Sequence, residues 1–239
     1  MSFPAALPHD PPLQIAEDLF VVYGCVQLLP VARITRNMII VRDQGQLTLI
    51  NAVRMDDAGL RSLEELGEVS HVLRLGPLHG LDDAFYVDRY DANFWSLEGG
   101  TTYTMPAIIH PLVDGGTLPF PNAKLFAYGH MTETEGTILL ERGAGVLLTC
   151  DAIQSYSTPP HMPYTAWLTR LLLPLIGFPK ETIIGPLWVK KMVKDREAIK
   201  ADFERLLSLD FDQLISAHGT FLAKNAHTEL EQAFKKTFD

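Results

Sequence analysis

LFAYGHMTETEGTILLERGAGVLLTCDAIQ, residues 125–154, is the stretch on which the fold turns. With the two residues before it, it holds three apolar runs: Ala123-Lys-Leu-Phe-Ala-Tyr128, Thr137-Ile-Leu-Leu-Glu141 and Gly145-Val-Leu-Leu-Thr149. Turn-like segments separate them, so each run reads as a short strand. The first run leads into Gly129-His130 and the third into Cys150-Asp151. Polar groups at strand ends are presented by loops on a rigid scaffold and stay open to solvent.

Two more strand ends carry the same kind of signal. The buried-type run Val69-Ser-His-Val-Leu-Arg-Leu75 is followed by His79-Gly-Leu-Asp82-Asp83, and Gln213-Leu-Ile-Ser-Ala217 runs into His218-Gly219. A glycine beside the histidine lets the backbone turn sharply there. Nearer the start, Leu19–Leu28 reads as a strand or strand pair. Asn37–Arg42 and Gln46–Asn51 read as a hairpin through Asp43-Gln-Gly45. Asp56 is placed to cap a helix running through Leu66. Val189, Val193, Ile199, Phe203 and Leu206 share one helical face, which predicts a helix over 189–207. The order of elements predicts an α/β sandwich of two sheets with helices outside, built from two similar halves. No repeat or linker divides the chain, so a single domain is expected over 1–239, with an apolar, proline-punctuated insert at about 159–188.

Composition narrows the function. Hydrophobic residues make up 47% and charged residues 21%, an ordinary globular balance, and 20 Lys and Arg against 29 Asp and Glu leave a net charge of −9. Phosphate backbones are bound by clustered cations, so nucleic acid is not expected as a partner. The one basic cluster, Lys190-Lys191-Met-Val-Lys194-Asp-Arg196, reads as the solvated face of a helix. Cys25 and Cys150 form no disulfide framework. The opening twenty residues lack the basic and apolar regions of a signal peptide, and a cytoplasmic protein is expected. The most lipid-like segment, residues 166–178, is shorter than the roughly 20 apolar residues of a span and is interrupted by Arg170 and Pro174. No membrane span is expected.

Taken together, the four strand ends resemble the metallo-β-lactamase superfamily, the αββα hydrolases that include glyoxalase II-like and lactonase-like enzymes. NMIIVRDQGQLTLINA resembles its opening hairpin, the 125–154 stretch its second-half signature, and REAIKADFERLLSLDFDQLISAHG its closing helix, strand and His-Gly. The resemblance covers roughly residues 15–225 and implies a four-layer αββα sandwich of two mixed sheets flanked by helices. The family's His-x-His-x-Asp-His motif is depleted here. Laid on HGLDDA, it matches His79 and Asp83, while Leu81 and Ala84 stand at two ligand positions. Asn51 stands where an Asp is usual, and Cys150 replaces the Gly before Asp151.

The resemblance therefore implies five metal ligands, His79, Asp83, His130, Asp151 and His218, with Asp83 and Asp151 as the catalytic carboxylates. A first ion would use His79, His130 and Asp151, and a second Asp83, Asp151 and His218. Asp82 would swing in or orient a ring. Two imidazoles and a carboxylate with an open position suit Zn or Fe, and the oxygen-richer second set suits Mn or Fe. Two functions follow. One is a metal-dependent hydrolase of a small ester, lactone, thioester or phosphoester, with one divalent metal favoured over two. The other is a binding module that keeps the fold and has lost its metals. The insert, with Tyr164, Trp167, Ile176 and Phe178, reads either as added core or a homodimer contact, or as a lid over an apolar substrate.

Overall fold

The computed structural model describes residues 3–238. Strands β1 (Leu13–Ala16), β2 (Leu19–Leu29), β3 (Ala32–Asp43) and β4 (Gln46–Ile50) pair antiparallel in chain order. Helix α1 (Asp57–Glu64) leads to β5 (Glu68–Arg74) and α2 (Asp83–Tyr90) to β6 (Asn93–Leu97), with β7 (His110–Leu112) at the edge. From β4 to β7 the pairing is parallel, as crossover connections require.

The second half opens with an antiparallel meander of β8 (Ala123–Ala127), β9 (Gly136–Leu140) and β10 (Val146–Thr149). Strand β11 (Ile153–Ser155) follows, then α3 (Trp167–Leu172) and a 3₁₀ turn over Leu173–Ile176. Strand β12 (Thr182–Ile184) pairs with β11 as a separate ribbon. Helices α4 (Pro186–Met192) and α5 (Arg196–Leu207) precede β13 (Gln213–Ser216), which joins β10 in parallel, and α6 (Ala226–Phe238) ends the described chain.

Alternation along the strands builds the layers. In β9 and β10, Ile138, Leu140, Val146 and Leu148 share a core with Ile39, Val41 and Leu73 of the other sheet. Their neighbours Leu139 and Leu147 belong instead to the core containing Ile199 and Phe203 of α5 and Leu230 of α6. On the other flank, Met38 and Ile40 of β3 pack with Leu60 and Leu63 of α1 and with Phe85 and Tyr86 of α2. Side chains that alternate at period two thus cover both faces of both sheets, which gives helix, sheet, sheet, helix. Burying each such side chain contributes about 1.5–3 kcal/mol. Among the described residues no helix is long and apolar enough to cross a membrane.

Asp56 caps α1 as its sequence suggests, its carboxylate accepting from the Gly59 N–H, although the helix stops at Glu64 rather than Leu66. Strand β3 begins at Ala32, five residues before the expected start, because its ladder with β2 continues through Arg36–Gly24 and Ile34–Val26 to the hairpin tip. The single helix expected over 189–207 is two. Val193 adopts an extended conformation after α4. The Asp195 carboxylate then accepts from the N–H groups of Glu197 and Ala198 and starts α5 afresh.

The glycine after His218 has a clear steric reason. Gly219 lies at φ +86°, and a Cβ there would sit 1.8 Å from the carbonyl oxygen of Ser155. Gly219→Ala is expected to destabilise the fold by about 2–3 kcal/mol or more, read as a fall in Tm of at least roughly 5 °C in thermal unfolding.

Candidate metal centre

The loops that follow β5, β10 and β13 bring His79, Asp151 and His218 together. Asp151 offers each ring a separate oxygen. Oδ1 lies 3.0 Å from His218 Nε2, and Oδ2 lies 3.4 Å from His79 Nε2. The two rings meet edge to face, with centroids 5.1 Å apart. His218 Nδ1 is 2.7 Å from the Thr35 carbonyl, which can only accept, so Nδ1 carries a hydrogen. In a neutral ring that leaves the Nε2 lone pair aimed at Asp151. Two acceptors 3.0 Å apart require a proton or a cation between them.

Other atoms here are also unsatisfied. His79 Nδ1 and Asp151 Oδ2 are buried without a hydrogen-bond partner. Burial drives the His79 pKa down, against the pull of Asp151. Burial by itself raises the pKa of Asp151, but His79 and His218 outweigh it and hold the carboxyl well below the usual range. The group is thus an ionised carboxylate between two imidazoles. Cys150 adds a thiol: ligand atoms of His79, Cys150 and Asp151 all lie within 4.8 Å of one another. Without a cation that thiol is inert, since burial pushes its pKa well up. Imidazole, thiolate and carboxylate are all zinc ligands. His79 Nε2 and Asp151 Oδ2, 3.4 Å apart, are close enough to share one ion, and the chemistry of the donor set fits a divalent cation.

This centre forms the floor of a cavity of about 550 Å³, which His79, Asp151 and His218 line. Its walls come from the β2–β3 hairpin, the insert and α4, through residues such as Val26, Ile34, Leu173, Phe178 and Trp188. The lining is predominantly apolar, as small-molecule sites usually are.

No protein-family model and no curated protein matches the chain. Solved structures do. A DIM-1 metallo-β-lactamase exposed to ceftazidime superposes with a TM-score of 0.67 at 10% identity, covering 98% of this chain and 100% of that one. The mono-zinc form of the metallo-β-lactamase FIM-1 from Pseudomonas aeruginosa gives 0.65 at 11% identity, covering 98% of each chain. A metallo-β-lactamase from Erythrobacter litoralis gives 0.63 at 11% identity, covering 94% and 92%. This chain has the metallo-β-lactamase fold.

Within the metallo-β-lactamase fold, the five residues singled out from sequence lie in three settings. His79, Asp151 and His218 converge. His130 is exposed, at φ 52°, and like His218 lies outside the group of close ligand atoms formed by His79, Cys150 and Asp151, but unlike His218 it has no contact with Asp151 among those described. Its segment is drawn to the end of α4: the His130 carbonyl accepts from Lys194, and Thr132 donates to Met192. Asp83 is buried and ion-paired, its Oδ2 2.7 Å from Arg74 Nε. Asp82 is likewise paired, 2.9 Å from Arg36 Nη1, and also accepts from the Arg54 N–H. Arg36 further donates to the carbonyl oxygens of His79 and Ala52, and Arg74 to those of Tyr103 and Met105. Two buried guanidinium groups therefore clamp the HGLDDA loop.

Arg36, Arg74 and Glu135 escape sequence reasoning, although each carries a faint signal. Arg36 interrupts an apolar strand, Arg74 ends one, and Glu135 immediately precedes one. Glu135 is 1% exposed, with Oε1 2.5 Å from the Ala152 N–H. Burial, reinforced by the charge of Asp151, raises its pKa well above the usual carboxylate range and keeps it protonated.

Arg36→Met leaves Asp82 buried without its cation and is expected to cost about 3–5 kcal/mol in denaturant unfolding. A second expectation concerns pH. Burial, opposed by Arg74, raises the Asp83 pKa from 3.8 to about 6. The folded state therefore takes up this proton as pH falls through about 6, and the unfolded chain only near 3.8. Asp83 thus makes the fold more stable on acidification across that window. In Asp83→Asn that gain is missing, so Tm measured from pH 6 to pH 4 falls more, or rises less, than in the parent.

Proposed function

We propose that the protein is a metal-dependent hydrolase of a small ester, lactone, thioester or phosphoester with an apolar substituent. The observation that carries this reading is the ionised Asp151 set between two imidazole nitrogens on the floor of the apolar cavity. His79 and Asp151 would hold the ion, with Cys150 and His218 as the further donors. Zn, Fe or Mn bound there would polarise a carbonyl or phosphoryl oxygen and supply a nucleophilic water near neutral pH.

The chain's own groups favour one ion over two. Asp83 faces Arg74 rather than an open position, and Leu81 and Ala84 carry no donor. Protonated Glu135 adds no second charge beside Asp151. Ionised Asp151, which lines the cavity, is the group placed to orient an attacking water by accepting its hydrogen bond. The His218 hydrogen bond to Thr35 fixes which ring nitrogen faces it. The apolar walls would take the acyl or alkyl part of the substrate and exclude bulk water.

The arginine clamps and the exposed His130 favour a second reading, a ligand-binding module that does without metal. Elemental analysis of reconstituted, tag-free protein separates the two. About one equivalent of Zn, Fe or Mn is expected, lost in His79→Ala and Asp151→Ala. In those variants, turnover across a panel of esters, lactones and phosphodiesters should fall by at least about 100-fold, the most that loss of an outer-sphere partner usually costs. Folded, metal-free protein after reconstitution would overturn the hydrolase and leave the binding module.

A further inference from the structure

The insert presents an apolar face that none of the described residues covers. Neither α3 nor the 3₁₀ turn after it buries a single residue. Trp167 is 78% exposed, Leu171 64% and Leu175 80%, and Leu168, Leu172 and Ile176 are exposed beside them. Leu28, Leu29 and Val31 at the β2–β3 hairpin tip are exposed as well. The two elements are joined: Ala166 N–H donates to the Arg33 carbonyl, Thr35 N–H to Thr165 Oγ1, and Arg33 Nε to the Tyr164 carbonyl.

The segments flanking the helix are packed despite its exposure. Tyr156, Met162, Phe178 and Ile183 make a small core of their own beneath it, with Leu173 packed against them. A six-residue helix is marginal in water by itself. This one is anchored by its flanks and turned outward with a tryptophan and three leucines. Contiguous apolar surface of this kind marks an interaction site.

Charge identifies the partner. Residues 159–194 carry Arg170, Lys180, Lys190, Lys191 and Lys194 against one acidic residue, Glu181, in a chain of net charge −9. Glu181 is itself paired with Lys236 at 2.5 Å. Arg170 is on α3, and exposed Lys191 lines the same cavity as Leu173, Ile176 and Leu187. An apolar face with an exposed tryptophan and a basic margin matches the interface of a bilayer with anionic headgroups. A second copy of this chain fits less well. A two-fold contact pairs this patch with its own copy, so both sides would bring the same basic margin and neither the acidic one that complements it.

We infer that the α3 face, with the β2–β3 hairpin tip, docks the protein on anionic lipid bilayers, with the cavity mouth opening toward the acyl chains. The inference does not depend on hydrolysis or on metal.

Co-sedimentation of the full chain with vesicles tests it, using phosphatidylcholine alone and phosphatidylcholine with about one-third phosphatidylglycerol. Binding to the anionic vesicles is expected, weaker by about 10-fold or more on phosphatidylcholine alone and in about 0.5 M salt. Trp188 is buried and Trp95 half-buried, so a blue shift of tryptophan emission on binding reports Trp167. Trp167→Leu should keep the binding and lose the shift. The combined variant Trp167→Ser, Leu171→Ser, Leu175→Ser changes only exposed positions. With its circular dichroism and Tm unchanged, it should bind anionic vesicles at least about 10-fold more weakly. Failure of the parent protein to bind, or equal binding by the triple variant, overturns the inference. So does a parent dimer by light scattering that ignores vesicles and that the triple variant converts to monomer; the face would then be a contact between copies.

Discussion

Three consecutive residues of β3 hold the two halves of the molecule in register. The Thr35 carbonyl accepts from His218, Arg36 grips Asp82 and the His79 carbonyl, and Asn37 donates through its side chain to the carbonyls of Ser216 and Gly219. The Asn37 backbone N–H adds a bond to Ala217. Each of these bonds is buried, where an unmade one costs more than a made one contributes. The apolar core between the sheets supplies most of the stabilisation, but it is not directional. The polar stitch along Thr35–Asn37 sets where the strand ends stop relative to one another. The position of His79 against His218 depends on it.

Electrostatics then give three buried carboxyls three different states within one region. Glu135 is protonated because burial and Asp151 both oppose its charge. Asp151 is ionised because two imidazoles flank it. The Asp83 pKa is raised to about 6, burial outweighing Arg74. Environments that push such groups apart separate their chemical roles, and here only Asp151 combines a negative charge with access to the cavity. The guanidinium groups of Arg36 and Arg74 supply fixed positive charge to the HGLDDA loop, beside the carboxylates that the resemblance associates with a second ion.

The order of elements along the chain and the α1 cap at Asp56 were legible in the sequence, because each depends on contacts a few residues apart, while the four layers were implied by the family resemblance. Periodicity at 2 or 3.6 residues and a carboxylate three positions before an N–H are local rules. The placement of His79, Asp151 and His218 at strand ends was legible too, and the resemblance grouped them; β10 and β13, parallel neighbours, deliver Asp151 and His218 to the same side. The break at Asp195 was also written locally, in an N-cap residue inside an apolar helical pattern that outvoted it.

What the tertiary structure alone decided lies in contacts across long sequence separations. The exposure of His130 follows from backbone bonds to Met192 and Lys194. The engagement of Asp83 and Asp82 follows from two arginines on strands that also read as apolar runs. Glu135 loses its charge only because folding buries it beside Asp151. The α3 leucines have the composition of core residues, yet the small cluster beneath them is filled by Tyr156, Met162, Phe178 and Ile183, which leaves the leucines facing outward. Sequence determined the elements and the order of potential ligands, because propensity and periodicity act over one or two turns of chain. Which charges meet, and which apolar faces stay uncovered, was decided by packing, because burial and Coulomb interactions depend on distance in space rather than along the chain.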